Sequence, residues 1–328
     1  PYNLFPFHFI LRLDVWGFDY DAVGVLQQMK PKDDILSHKF AFLLRHSHIE
    51  SQNIDESNPS KVQEVVTDSV TDRVAGFICK AAFTNHKQCV SGLAVVPKDD
   101  ERNNTYLISA GWDRRIFIWN LDTLCLHDVF RHPDSKGNHD NEMAADGIIV
   151  DLVYCQERDE FAYCSADKLV YIRAFSEDGS QMKLKAVLQG HEAEVTQVRW
   201  NSIHQKWVTG SDDCTIRVWS ADGMNCELVL STSGGITAMC IDQTNGCVVV
   251  GIQEIIRVYD IKSRSLVQSN IGHRDCIRSL IHIPERQQYV SASWDKTVRA
   301  WNAFKGHKKK PEEEDNKEDE EESYENGS

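Results

Sequence analysis

The sequence predicts an all-β fold, a β-propeller of four-stranded blades, and three observations predict it. First, three segments align without a gap: Leu107–Trp119 (LISAGWDRRIFIW), Trp207–Trp219 (WVTGSDDCTIRVW) and Tyr289–Trp301 (YVSASWDKTVRAW). Each has a hydroxyl at its third place, Asp at its seventh and Trp at its end. Second, apolar residues alternate within each segment, which is the period of a half-buried strand. Third, with two degenerate copies, Phe161–Arg173 and Cys247–Tyr259, the units end at 119, 173, 219, 259 and 301, in steps of 54, 46, 40 and 42 residues. Four strands in about 40–45 residues is the size of a propeller blade.

In chain order, residues 1–80 carry no copy of the repeat. Phe9–Trp16 and Phe40–Leu44 read as strands, Ser51–Ser60 as a loop, and Lys61–Val70 as helix or strand. The segment is either one or two divergent blades or part of a preceding segment. The chain starts at Pro1, without an initiator Met, and is expected to be truncated there. Residues 81–304 form the blades. In each, two strands flank a tight turn around the Asp, a third precedes them, as in Val195–Trp200, and a fourth lies earlier, as in Lys185–Leu188. The 54-residue step comes from a polar insertion, Arg131–Gly147, expected to be disordered. Residues 305–328 are a Lys-rich, then Glu/Asp-rich tail, also expected to be disordered.

Gly190-His191 and Gly272-His273 stand early in their units, and Asn85-His86 is a near match. With the terminal Trp, these pairs give residues 75–304 a close resemblance to the WD-repeat β-propeller family. The resemblance implies a hydrogen-bonded set in each complete blade: His86, Ser109, Asp113 and Trp119; His191, Thr209, Asp213 and Trp219; His273, Ser291, Asp295 and Trp301. Two blades lack it. Tyr163 and Arg173 stand for the hydroxyl and the Trp in one, and Gln253 and Tyr259 for the Asp and the Trp in the other. Those blades should be less rigid, or tied by other contacts. The resemblance also implies a ring of seven blades, of which five are legible, closed by a strand from the start of the domain.

Composition limits function. The 328 residues carry a net charge of −14, of which −5 lies in 305–328 and −9 in 1–304. Such a surface repels nucleic acid. No apolar run reaches 18 residues, so no membrane span is expected. The ten Cys include no CxxC pair, and most sit within apolar runs and read as buried thiols of an intracellular protein, with the cytoplasm preferred over the nucleus. Neither GxxxxGK, HExxH nor GxGxxG occurs. A Ser–His–Asp set invites a hydrolase reading, but this one recurs blade after blade and lacks a Gly-x-Ser-x-Gly elbow. His46-Ser-His48 reads as a surface pair rather than a metal site. No cofactor, metal or small-molecule substrate is expected.

The resemblance places the residue before each turn Asp on one face of the ring. These residues include Trp112, Asp212 and Trp294, and Lys87, Glu192 and Arg274 follow the repeat His on the same face. A Trp there is either an interface anchor or packing under a neighbouring loop. The expected function is non-catalytic: a scaffold whose rim binds other proteins. The alternative is a substrate receptor or a chromatin or cytoskeletal adaptor using the acidic tail. A propeller enzyme would need convergent carboxylates or metal ligands at the channel, and the sequence displays none.

Overall fold

Alternation of apolar and polar residues, broken by short Asp-, Asn- and Gly-bearing turns, folds into strands throughout. The computed structural model describes residues 13–18, 73–74, 77–100, 102–130, 142–175 and 182–305. Ahead of the repeats, β1 (Leu13–Phe18), β2 (Arg73–Val74) and β3 (Phe77–Phe83) form a three-stranded sheet with β3 in the middle. The first blade is β4 (Val90–Val96), β5 (Tyr106–Gly111), β6 (Ile116–Asn120) and β7 (Cys125–Val129). The second is β8 (Ile149–Cys155), β9 (Glu160–Ser165), β10 (Val170–Ala174) and β11 (Leu184–Leu188). The third is β12 (Val195–Asn201), β13 (Lys206–Ser211), β14 (Thr215–Trp219) and β15 (Cys226–Ser231). The fourth is β16 (Ala238–Ile241), β17 (Val248–Ile252), β18 (Ile255–Asp260) and β19 (Ser265–Ile271). The fifth is β20 (Ile277–Ile283), β21 (Gln288–Ser293) and β22 (Val298–Asn302), and among the described residues no strand pairs with the outer side of β22.

Every blade is an antiparallel meander, so neighbours in sequence are neighbours in the sheet. The first strands stand side by side in the order β4, β8, β12, β16, β20 and line the channel. The last strands, β7, β11, β15 and β19, lie outermost with mostly exposed side chains. The core lies between blades. Ile116, Val170, Ile216 and Ile256 occupy one position of four successive blades, and all four are fully buried. Ile216, for example, packs with Ile236 and Met239 of the next blade. Val298 holds that position in the fifth blade and is 72% exposed.

The blades are also tied through the channel wall. In β4, β8, β12 and β20 the register slips at Ser91, Val150, Thr196 and Arg278. A bulge re-aims the side chain that it carries. Ser91 Oγ donates to the Ile149 carbonyl (2.5 Å), Thr196 Oγ1 to Ile236 (2.6 Å) and Thr237 Oγ1 to Ile277 (2.6 Å), each on the following blade. Val150 has no hydroxyl. Between the second and third blades the tie is instead Asp151, whose carboxylate accepts from the Val198 amide (3.1 Å) and pairs with Arg199.

The fourth blade departs from the gapless alignment. Tyr259 pairs with Val248, whereas Trp219 pairs with the first residue of its segment, Trp207. The Gln253-Glu254 turn is one residue shorter than the others, and Val250 therefore takes the hydroxyl's place. His46 and His48, Phe40–Leu44 and the tail lie outside the described residues, as do 131–141 of the insertion. Among the described residues no helix is long and apolar enough to cross a membrane.

Candidate functional site

Three blades carry the complete polar chain. In the third, Trp219 Nε1–H donates to Thr209 Oγ1 (2.9 Å), which lies 2.7 Å from His191 Nε2, and His191 Nδ1 lies 2.7 Å from Asp213 Oδ2. The hydroxyl spends a lone pair on the indole and its proton on Nε2, leaving Nδ1–H to face the carboxylate. In the first blade the distances are 2.8 Å from Trp119 to Ser109, 2.9 Å from Ser109 to His86 and 3.0 Å from His86 to Asp113. In the fifth they are 2.8 Å from Trp301 to Ser291, 2.7 Å from Ser291 to His273 and 2.7 Å from His273 to Asp295.

Each Asp also clasps its own turn. Asp213 accepts from the amides of Glu192 (3.0 Å) and Thr215 (2.9 Å), and Asp295 from those of Arg274 (3.1 Å) and Thr297 (2.9 Å). Asp113 does the same for Lys87 (2.8 Å) and Arg115 (3.2 Å). The residue after each of these Asp, namely Arg114, Cys214 and Lys296, is left-handed, with φ of 63°, 63° and 68°. The clasp holds non-glycine residues in a region they rarely adopt. All twelve side chains are thus committed to one another or to backbone.

The second blade replaces the set with different chemistry. Arg173 Nε–H donates to Tyr163 Oη (2.9 Å), Tyr163 Oη–H to the Ala144 carbonyl (2.8 Å), and Arg173 Nη1–H to the Met182 carbonyl (3.0 Å). The guanidinium also lies 4.5 Å from the centre of the Phe130 ring. Its turn Asp167 accepts from Tyr171 Oη (2.9 Å) and the Leu169 amide (3.0 Å). In the fourth blade a buried Asp242 accepts from Tyr289 Oη (2.7 Å) of the fifth, across the seam.

These chains respond to acid. Burial works against charge on Asp213, but the Thr215 hydroxyl, the Glu192 amide and His191 outweigh it and hold the carboxyl at about 2. Burial lowers the pKa of His191, with Asp213 pulling the other way. Both groups therefore contribute stability above their unfolded values, about 6.5 for His and 3.9 for Asp, and lose it as the pH falls. The melting temperature should be level near neutrality, decline below about pH 6.5 and fall more steeply below about pH 4. A calorimetric series in which melting rises from pH 7 to pH 5 would contradict this.

The rim residues are placed differently from one another. Lys87, Glu192, Asp212 and Arg274 are exposed. Trp112 is half-buried at a channel-mouth cavity of about 560 Å³ that Asp212 also lines. Trp294 is 45% exposed, with the Arg278 guanidinium 5.8 Å from its ring centre. The cavity wall is polar, with Thr196, Gln197, Arg199 and Glu194 facing it. Burial, reinforced by Asp212, raises the carboxyl pKa of Glu194. Although the residue as a whole is exposed, partial desolvation of its carboxyl raises Asp212 as well, against the pull of Arg278. Sequence reasoning missed Glu194, Arg199 and Arg278. The one signal for Arg278 was its place on β20, one residue after the buried Ile277, where three of the other blades put a hydroxyl. Among the described residues no group of three or more His, Cys, Asp or Glu could hold a metal ion.

The family described as "WD domain, G-beta repeat" matches residues 77–120, 182–220 and 264–302, which hold the three complete polar chains. The pre-mRNA-splicing factor cwf17 of Schizosaccharomyces pombe is 26% identical over 179 residues, covering 54% of this chain and 48% of that protein. A ribosome biogenesis protein WDR12 homolog of Oryza sativa subsp. japonica is 26% identical over 210 residues, covering 63% and 43%. The transcriptional corepressor LEUNIG_HOMOLOG of Arabidopsis thaliana is 24% identical over 204 residues, covering 61% and 23%. The chain spans less than half the length of these relatives. The preference for cytoplasm over nucleus does not fit relatives named for pre-mRNA splicing and ribosome biogenesis, and is withdrawn. Repeat, hydrogen-bond chain and blade topology agree with the family match: the chain contains WD repeats, folded as blades of a β-propeller.

Proposed function

We propose that this chain is a non-catalytic scaffold that binds other proteins through the channel-mouth face of its propeller. The observation that carries the reading is the half-exposed Trp294 indole, stacked under Arg278 beside the cavity that Trp112 and Asp212 line. Trp and Arg are the side chains that most often dominate protein interfaces. The repeat's Ser–His–Asp sets are spent on the fold, and their hydroxyls and imidazoles have no unused valence with which to attack a substrate. Relatives named for splicing and ribosome biogenesis support a place in an RNA-containing assembly, with this chain contacting protein. Its net charge favours protein over RNA as the direct partner.

The test compares Trp294→Ala with the unaltered protein in quantitative co-purification. Loss of a hot-spot Trp costs about 2 kcal/mol or more, so partner recovery should drop about thirtyfold with melting unchanged. Undiminished recovery sinks the reading, and so does tight RNA binding at physiological salt once the tail is removed.

A further inference from the structure

The opposite face of the ring carries a second, smaller cavity, about 250 Å³, in the groove between the third and fourth blades. Its floor is apolar, from Val218, Leu228 and Ile261. Its charged rim carries more cations than anions, Lys206, Lys262 and Arg264 against Glu227 and Asp260. Arg264 lines it and is exposed, and Lys262 is exposed two residues away, close enough to lower the pKa of His204, which burial lowers first. Lys206 also lines it, paired with Glu227 at 2.6 Å, and Asp260 is the other acid in range of His204. A net-positive rim over an apolar floor is unusual on a body of net charge −9, and it suits a peptide that carries carboxylates around an aromatic ring.

The described part of the chain ends near this spot. After β22, Phe304 N–H donates to Tyr289 Oη (3.1 Å), and the Phe304 carbonyl accepts from Asn245 Nδ2 (3.0 Å). The next residue, Gly246, is left-handed (φ 77°) and lies so close to His204 that a Cβ there would sit 2.7 Å from Nε2. The end of the fifth blade is therefore two contacts away from the groove. From Lys305 to Glu312 are seven residues, a reach of about 24 Å when extended. Residues 312–325 then hold ten acids against one Lys, with Tyr324 between Ser323 and Glu325.

We propose that the groove is an acidic-peptide site whose occupant is the chain's own segment 312–325, with Arg264 and Lys262 as its basic side. Tethering raises the tail's local concentration to about millimolar, so a weak site is enough. A free acidic partner then competes with the tail, and a basic partner that captures the tail uncovers the groove.

Zero-length carbodiimide coupling of the full chain, with peptide mapping, tests this. Carboxylates of 312–325 should couple to Lys262 in preference to Lys87, Lys183 and Lys185 on other blades. Arg264→Glu should lower that coupling about fivefold without changing the melting temperature, and 1 M salt, where the screening length is about 3 Å, should abolish it. Coupling spread evenly over exposed lysines overturns the proposal. So does coupling found only between ¹⁴N- and ¹⁵N-labelled copies, which would put the tail on a second molecule. Trp294→Ala should leave the coupling intact, which separates this result from the rim reading.

Discussion

Trp219→Ala is expected to destabilise the propeller by about 3–5 kcal/mol, the range for removing a buried aromatic side chain. Two losses combine. The indole is 3% exposed and packs with Val195, Val198 and Trp207 between the second and third blades, so its removal leaves a cavity. It also donates to Thr209, and without it a fully buried hydroxyl in the chain to His191 and Asp213 loses a donor. Trp219→Phe separates the two. It keeps most of the volume but loses the N–H, for about 1–3 kcal/mol. Urea midpoints of the two variants check the pair. Equal losses would mean that packing contributes nothing beyond the hydrogen bond, and the mixed chain-and-core account would fail.

Ile216→Ala and Val298→Ala should differ sharply, although they alter the same repeat position. Ile216 is fully buried against Ile236 and Met239, and its truncation should cost about 2–5 kcal/mol. Val298 is 72% exposed on the last described blade, and Val298→Ala should stay within about 0.5 kcal/mol of the parent. Leu93 and Val95 on β4 and Ile281 on β20 are likewise about half exposed. If Val298→Ala proves as costly as Ile216→Ala, something covers this face in solution, and the fifth blade has a neighbour there.

These contrasts mark what the sequence made legible. The blades were visible because Trp, Asp and alternating apolar residues recur in register, and that periodicity is local. The one-residue slip in the fourth blade was not, since Gln253-Glu254 closes a shorter turn while leaving Tyr259 at the expected end. The replacement set in the second blade was hidden for another reason. Arg173 finds Tyr163 ten residues away, and Tyr163 finds Ala144 in the inserted segment, pairings that depend on how strands stack. The ties of Ser91, Thr196 and Thr237 were equally silent. A hydroxyl at the start of an inner strand points to the next blade only because of the local bulge or the strand's first turn. The rim was half legible. The sequence placed Trp112 and Trp294 at equivalent positions, yet one is tucked into the cavity and the other lies open under Arg278.

The inner ties have a consequence for how the molecule breathes. Three hydroxyl-to-carbonyl bonds and the Asp151–Arg199 pair tie successive inner strands along the channel, while among the described residues no strand pairs with the outer side of β7, β11, β15 or β19. Opening should therefore begin at the circumference and move inward. Amide hydrogens on the outermost strands would exchange with deuterium first, and those of β8, β12 and β16, held by neighbours on both sides, last. Partners gripping the channel mouth would then touch the slowest-moving part of the protein, and a segment bound along an outer edge would touch the fastest.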